Sequence, residues 1–309
     1  MSKRRKKKYP LRGAAVLLLI VALLAMLSAG LVGTRIYMRH TGEGFLTAFG
    51  HTARLGIDYV WNLLSPSDRS VPVNPYRETD YYYRGDLLHC AASEVSRAGI
   101  DVSSHQKEID WQVVADAGVE FAIVRVGYRG YTDGNIFPDS LAKENLDGAL
   151  AAGLDVGVYF FSQATSEKEA VEEARFVLDA IEGYALRYPV YFDWEGIIDE
   201  ARTDDVTGEE MTAFAKAFCE EIEEAGYRAG VYFNQSYGYN SFDLHALRDY
   251  EFWLAEYADT QSFAYEVRLW QYDCEATLPG IETTIDLNLC YYDYLKDEES
   301  REDGTPQEE

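Results

Sequence analysis

Asp193 and Glu195 stand two residues apart at the end of the apolar run Tyr188-Pro189-Val190-Tyr191-Phe192. On a β-strand the side chains at i and i+2 share one face, so this spacing sets the two carboxyl groups side by side and turns Trp194 away. A carboxyl group beside a second carboxylate and against apolar neighbours keeps its proton to higher pH. A general acid working near neutrality requires that property. With 53 Asp and Glu residues in the chain, an Asp-x-Glu triplet also arises readily as a solvated strand end. The chemistry therefore depends on what surrounds the pair. Two further acids, Asp101 in Gly99-Ile100-Asp101-Val102 and Asp286 in Ile285-Asp286-Leu287-Asn288, also lie in short apolar segments.

The elements that must position these acids alternate between strand and helix. Strand candidates are Gly99 to Val102, Phe121 to Val126, Val156 to Phe161, Val190 to Phe192, Ala229 to Phe233, Phe252 to Tyr257, Val267 to Tyr272 and Thr284 to Leu287. Eight strands is the count of a closed (β/α) barrel. Ser166-x-x-Glu169 and Thr207-x-x-Glu210 read as capping boxes opening long helices, each running toward a glycine that can end it. After Tyr257 the gaps are too short for full crossover helices. The expected fold is thus α/β, an irregular single (β/α) barrel with a helix-rich first half and mostly strand in its last three elements. In such barrels the carboxyl ends of the strands line the active site. Asp101, Asp193, Glu195 and Asp286 all fall at or near strand ends.

The ordered set Gly99-Ile-Asp-Val-Ser-Ser-His-Gln106, Ile109-Asp-Trp111, Val156-Gly-Val-Tyr-Phe-Phe-Ser162, Asp193-Trp-Glu195 and Ile285-Asp-Leu-Asn288 resembles glycoside hydrolase family 25, the Chalaropsis-type lysozymes or N-acetylmuramidases. The resemblance covers roughly residues 97 to 295. It implies the same irregular barrel and hydrolysis of β-1,4 bonds between N-acetylmuramic acid and N-acetylglucosamine in peptidoglycan. It also implies that Glu195 is the general acid and Asp193 its partner carboxylate, raising the proton affinity of Glu195 and helping to stabilise positive charge or orient substrate. Asp101 and Asp286 match two further acidic positions, holding substrate or water and tuning the electrostatics; the competing reading makes either a helix cap or loop anchor. Glycosidases commonly use two or more carboxyl groups to protonate the leaving oxygen and stabilise an oxocarbenium-like centre. Attack by a carboxylate, by water or by the substrate's own N-acetyl group all remain open at this stage.

Aromatic residues on the inferred strands supply candidate sugar contacts: Tyr159, Phe161, Tyr191, Tyr232, Trp253 and Tyr257, with Tyr159 and Tyr232 favoured and at least half expected to be core. His105 follows Asp101 by four residues but has no second His at metal-ligand spacing, and reads as a loop hydrogen-bonding residue. None of Cys90, Cys219, Cys274 and Cys290 forms a C-x-x-C pair, no Gly-rich phosphate loop follows a strand, and Gly-x-Ser-x-Gly is absent. No metal and no cofactor are expected. Cys274 and Cys290 flank the last strand pair and are candidates for a disulfide, subject to strand register. Two alternatives stand beside the lysozyme reading: a glycosidase acting on another N-acetylated polysaccharide such as a chitin-like polymer, and a non-catalytic barrel that binds glycan through the same groove.

Composition fits an exported enzyme. Hydrophobic residues make up 47% of the 309 and aromatics 14%, enough for one large core. The net charge is −25, although Lys3, Arg4, Arg5, Lys6, Lys7, Lys8 and Arg12 place seven positive charges in the first twelve residues. The acidic remainder argues against nucleic acid as a partner. Residues 1–12 read as a basic cytoplasmic segment. Residues 13–33, with the uncharged stretch Ala14 to Gly33, read as a transmembrane signal-anchor that leaves the rest of the chain outside the cell membrane. A cleaved signal peptide ending at Ala29 is the competing reading, and the large Leu27 two residues earlier fits a small-x-small site poorly. Residues 34–96 are expected to hold an amphipathic helix, with Phe45, Phe49, Ala53, Ile57, Trp61 and Leu64 at helical spacing, and then a polar, Tyr-rich tether whose Tyr81-Tyr82-Tyr83 could dock on the domain. The helix face has three candidate partners: the membrane, the catalytic domain or another chain. Residues 97–296 form the expected barrel domain, and 297–309 read as an acidic disordered tail. The sequence leaves the oligomeric state open.

Overall fold

A computed structural model of the chain describes residues 71–197 and 200–296. The basic segment, the expected membrane span, the amphipathic helix from Phe45 to Leu64 and the acidic tail lie outside the described residues. No helix among the described residues is long and apolar enough to cross a membrane.

An antiparallel hairpin opens the described part, β1 (Tyr81–Arg84) and β2 (Leu87–Cys90). The barrel strands follow: β3 (Arg97–Val102), β4 (Phe121–Arg129), β6 (Asp155–Ser162), β7 (Val190–Trp194), β8 (Ala229–Asn234), β9 (Glu251–Ala255), β10 (Leu269–Ala276) and β11 (Ile285–Cys290). A short strand β5 (Ile136–Pro138) pairs antiparallel with the outer end of β4. Helices α1 (Trp111–Asp116), α2 (Ala142–Ala151), α3 (Glu167–Ala180), α4 (Gly208–Glu224) and α5 (Gln235–Asn240) fill the connections up to β9. Among the described residues eight strands close the barrel, in the order β3-β11-β10-β9-β8-β7-β6-β4 with β4 returning to β3. All barrel pairings are parallel except those of β11, which runs against both β10 and β3. The last three elements carry no helix between them, because β9 reaches β10 through an irregular loop and β10 turns directly into β11.

Local chemistry explains the helix boundaries. The Thr207 hydroxyl accepts from the Glu210 N–H at 3.3 Å and the Glu210 carboxylate accepts from the Thr207 N–H at 2.9 Å, a complete capping box that satisfies two orphan donors of α4. At α3 only half of the expected box forms. Ser166 caps Glu169, but the Glu169 carboxylate turns to the Thr165 N–H at 2.9 Å and to Arg202. Gly226, just past α4, adopts φ 90°, the left-handed conformation that ends helices cheaply at glycine.

Strand alternation divides the core into two layers. Outward-facing residues such as Val124, Val158, Phe160 and Phe192 pack against Val177, Phe214 and Phe218 of the helices. Inward-facing residues fill the lower barrel with Phe121, Ile123, Tyr188, Tyr191, Trp253, Leu269 and Tyr294. Glycines make room for the rings. A Cβ at Gly99 would lie 2.2 Å from the Phe121 ring, and one at Gly230 would lie 2.4 Å from that of Tyr191.

Two expectations change. Residues 81–90, read as tether, instead form the hairpin, and Leu87, Leu88, His89 and Cys90 are buried. The hairpin and the segment before it cover the strands that lack helices: Tyr81 packs edge-on against Trp270 at 5.3 Å, the Leu88 N–H donates to the Tyr272 hydroxyl at 3.1 Å, and Tyr76, ahead of the hairpin, stacks on Tyr291 at 4.6 Å. Cys274 and Cys290 do not pair. Cys290 lies opposite Leu269, at the other end of β10 from Cys274, and the cysteines of the described residues are free thiols.

Candidate active site

The carboxyl ends of the parallel strands bring the acids together. Asp101 lies near the end of β3, Asp193 near the end of β7, and Glu195 is the first residue past β7. Asp286 is the second residue of β11, and because that strand runs backwards its first residues reach the same rim, with Asp286 in register with Asp101. Trp194 faces outward, where its indole N–H donates to the Ala164 carbonyl at 3.0 Å.

The acids form two interacting pairs. Asp101 is buried, and its Oδ2 accepts from Gln271 Nε2 at 2.8 Å and Asn288 Nδ2 at 2.7 Å. Burial pushes Asp101 up to about 6, against the pull of those two amide donors and a hydrogen bond from Asp286. Asp286 is pushed up to about 9, by burial first and then by the charge of Asp101. Asp286 thus holds a proton at neutrality and donates it toward Asp101. In the second pair, burial and then the charge of Glu195 push Asp193 well above the usual carboxylate range, with Asp101 adding and Arg125 opposing. Burial pushes Glu195 up to about 7, while its hydrogen bond with Asp193 pulls the other way and the charge of Asp101 adds. The expectation that Asp193 raises the proton affinity of Glu195 is therefore modified. Desolvation does the raising, and the hydrogen bond with Asp193 works against it. Between about pH 6 and about pH 7 Asp101 is ionised and Glu195 is protonated, with the charge of Asp101 acting on Glu195.

A chain of polar side chains fixes Asp101. The Tyr232 and Tyr257 hydroxyls donate to Gln271 Oε1 at 3.0 and 3.1 Å, and the Trp253 indole N–H donates to Asn288 Oδ1 at 2.8 Å. Each amide is thereby held in the orientation that aims its N–H at Asp101. Gln271 and Asn288 were absent from the sequence-derived site. Arg125, also absent from it, ion-pairs with Asp139 at 2.7 Å beside the Ser104 hydroxyl.

The six aromatic candidates separate by depth. Tyr159 and Tyr232 sit at the level of the acids: the charge of Asp101 acts on the Tyr159 phenol and that of Glu195 on Tyr232, and burial raises both well above the usual phenol range. Phe161 is half-buried at the rim, in register with Asp193, and Tyr257 is 56% exposed. Tyr191 and Trp253, at 0% and 1% exposure, lie beneath and pack on each other at 5.1 Å, with Tyr232 a further 4.7 Å neighbour of Trp253. Neither offers a free ring face, so both leave the list of sugar contacts; Trp253 acts instead through Asn288. His105 is exposed on the 3₁₀ turn Ser104–Gln106.

Comparison with known proteins agrees with the fold. The autolytic lysozyme of Clostridium acetobutylicum is 25% identical over 191 residues, spanning 62% of this chain and 54% of that protein. The structure of the modular autolysin LytC from Streptococcus pneumoniae superposes with a TM-score of 0.58 at 24% identity, over 68% of this chain and 52% of that one. A family 25 glycosyl hydrolase from Bacillus anthracis superposes with a TM-score of 0.56 at 23% identity, over 70% of this chain and 95% of its own. The chain thus spans about half the length of the first two relatives. The sequence model of glycosyl hydrolases family 25 matches residues 100–281, ending five residues short of Asp286, and the chain belongs to that family.

Proposed function

We propose that the protein hydrolyses the β-1,4 bond between N-acetylmuramic acid and N-acetylglucosamine in peptidoglycan, using the four carboxyl groups at the barrel mouth. One observation carries the reading: a partly exposed Glu195, pushed up to about 7, feels the charge of an Asp101 that two oriented amides hold. Glu195 delivers its proton to the leaving glycosidic oxygen. Asp101 stabilises the positive charge that develops on the sugar ring, and Asp193 and Asp286 keep the remaining protons in place. Tyr159, Tyr232, Phe161 and Tyr257 offer rings and hydroxyls along the mouth. Peptidoglycan as substrate draws support from family membership and from LytC, which has been solved with a synthetic peptidoglycan ligand.

The test is mass spectrometry of borohydride-reduced fragments released from purified peptidoglycan by the full-length protein. Reduced muramic acid at the new ends is the expected result. Cleavage of chitin oligomers with no muramic ends would transfer the reading to a different N-acetylated polysaccharide, and binding without release would make the barrel a glycan-binding module. Glu195→Gln is expected to lower the rate by about 10²- to 10⁴-fold, the usual worth of general-acid assistance. Turnover at the parent rate removes Glu195 from that role.

The location at the membrane is part of the same proposal and draws on the basic cluster and the uncharged stretch from Ala14 to Gly33. Full-length protein is expected in the membrane fraction with its C-terminus accessible from outside. A mature form free in the medium and beginning near Gly30 would refute the anchor.

A further inference from the structure

Glu195 lies just beyond the ladder that should hold it. The last pairings of β7 are Ser162 with Trp194 on one side and Asp193 with Tyr232 on the other, so no strand fixes the backbone of Glu195 itself. The peptide unit that follows is nevertheless held at both ends. Its carbonyl, that of Glu195, accepts from Gln163 Nε2 at 2.6 Å, and its N–H, that of Gly196, donates to the Tyr237 hydroxyl at 2.9 Å. Gln163 is fully buried and is itself held: its Oε1 accepts from the Thr203 hydroxyl at 3.2 Å and its main-chain carbonyl from Arg202 Nη1 at 2.9 Å. Arg202 is locked in turn by Thr165 Oγ1 at 3.0 Å and by both Glu169 oxygens. Tyr237 stands in α5, capped by Asn234, with its ring edge-on to Trp194 at 6.2 Å. Position 196 must be small for this to work, since a Cβ there would lie 2.7 Å from the Tyr237 hydroxyl.

We propose that Gln163 and Tyr237 are positioning residues that clamp the Glu195–Gly196 peptide plane and thereby aim the Glu195 carboxyl group at the glycosidic oxygen. The inference rests on Glu195 being the proton donor. Rotation of that one plane would swing the Glu195 side chain away from its partner Asp193, and misplacing a reacting group by about 1 Å costs on the order of 10²-fold in rate. The unfinished cap at α3 has a place in the same arrangement. The Glu169 carboxylate that does not return to Ser166 holds Arg202, and through it the loop segment that supports Gln163.

The experiment compares Tyr237→Phe and Gln163→Met in the full-length protein, each alone and on a Glu195→Gln background, with peptidoglycan as substrate. Tyr237→Phe keeps the ring, and the exposed Gly196 N–H can turn to water, so its folding is preserved. It is expected to lower apparent kcat about tenfold with apparent KM within about twofold, and Gln163→Met to lower kcat about 100-fold. A loosened Glu195 takes on water, so the alkaline limb of the Tyr237→Phe profile moves to lower pH. On the Glu195→Gln background neither substitution lowers the residual rate further, because the group they aim is gone. Tyr237→Phe with parent kcat and an unmoved alkaline limb overturns the clamp, and so does an equal loss on the Glu195→Gln background. A melting curve decides whether Gln163→Met is folded; if it is not, Tyr237→Phe alone carries the test. Glu195→Gln turning over at the parent rate would instead overturn the proton-donor reading, so the two failures are told apart.

Discussion

Replacing Asp286 by Asn removes the charge that the group can adopt while keeping its shape and a hydrogen-bond donor. Burial and the charge of Asp101 push Asp286 up to about 9, whereas Asp101 stands at about 6. In the interval between these values Asp286 is a neutral donor to an ionised acceptor. Asp286→Asn would exchange an O–H···O⁻ bond for an N–H···O⁻ bond in the same place. A hydrogen bond to a charged group is worth about 1.5–3 kcal/mol in all, and the exchange forfeits only part of it, roughly 1 kcal/mol. The rate between about pH 6 and about pH 7 should then fall about fivefold, since about 1.4 kcal/mol corresponds to a factor of ten. The assay is the initial release of reducing ends from peptidoglycan by full-length protein across a pH series. The acid limb, set by Asp101 at about 6, should move up by somewhat less than one pH unit, because the weaker donor favours ionised Asp101 less and about 1.4 kcal/mol corresponds to one unit. If Asp286→Asn is as inactive as Glu195→Gln, Asp286 works through an ionisable carboxyl and the distribution of protons derived above is wrong.

Asn288→Leu takes one donor from Asp101, so the ionised form is less favoured and the acid limb should move up by about one pH unit; the orphaned Trp253 indole adds a cost of about 1–3 kcal/mol, read as a Tm lower by roughly 2–4 °C for each kcal/mol. Asp101, Glu195 and Asp286 stand above their ordinary values, so the folded protein binds these protons more tightly than the unfolded chain does. The corresponding stability is complete below about pH 4 and is lost as pH rises through about 6, 7 and 9. Glu195→Gln should accordingly melt above the parent at alkaline pH and level with it near pH 4, and a variant that melts lower throughout would refute the raised value. Peptide mapping without reductant should find Cys274 and Cys290 as free thiols, because strand register places them at different heights; a linked peptide pair would contradict the β10–β11 register.

All eight barrel strands were legible because each is a short apolar run whose inner and outer residues are both buried, and the predicted ends differ from those observed by only a few residues. The acids were legible from their position at strand ends. The supporting amides were less so, although Gln163 and Gln271 are polar residues inside or directly after apolar runs, and Asn288 shares a strand face with Asp286 at i+2. Such placement is a usable sign that a buried amide has something to hold. Depth in the barrel was not legible. Alternation shows that Tyr191 and Asp193 both point inward, but Tyr191 lies two residues lower, about 7 Å along the strand, and so falls beneath the mouth. The hairpin was missed because Tyr81 and Leu88 gain their burial from Trp270 and Tyr272, and Tyr272 follows Leu88 by 184 residues.

That hairpin bears on where the domain can be cut. The family match begins at residue 100, and a truncation at that boundary would strip β1 and β2 from the barrel. Trp270, Tyr272 and Tyr291 would then face water on a flank that no helix covers among the described residues, a contiguous aromatic patch of the kind that drives self-association. A soluble recombinant domain should therefore begin near residue 71, and poor yield from a fragment starting at residue 97 would report on this missing cover, whereas a start at residue 100 would also remove Arg97, Ala98 and Gly99 from β3.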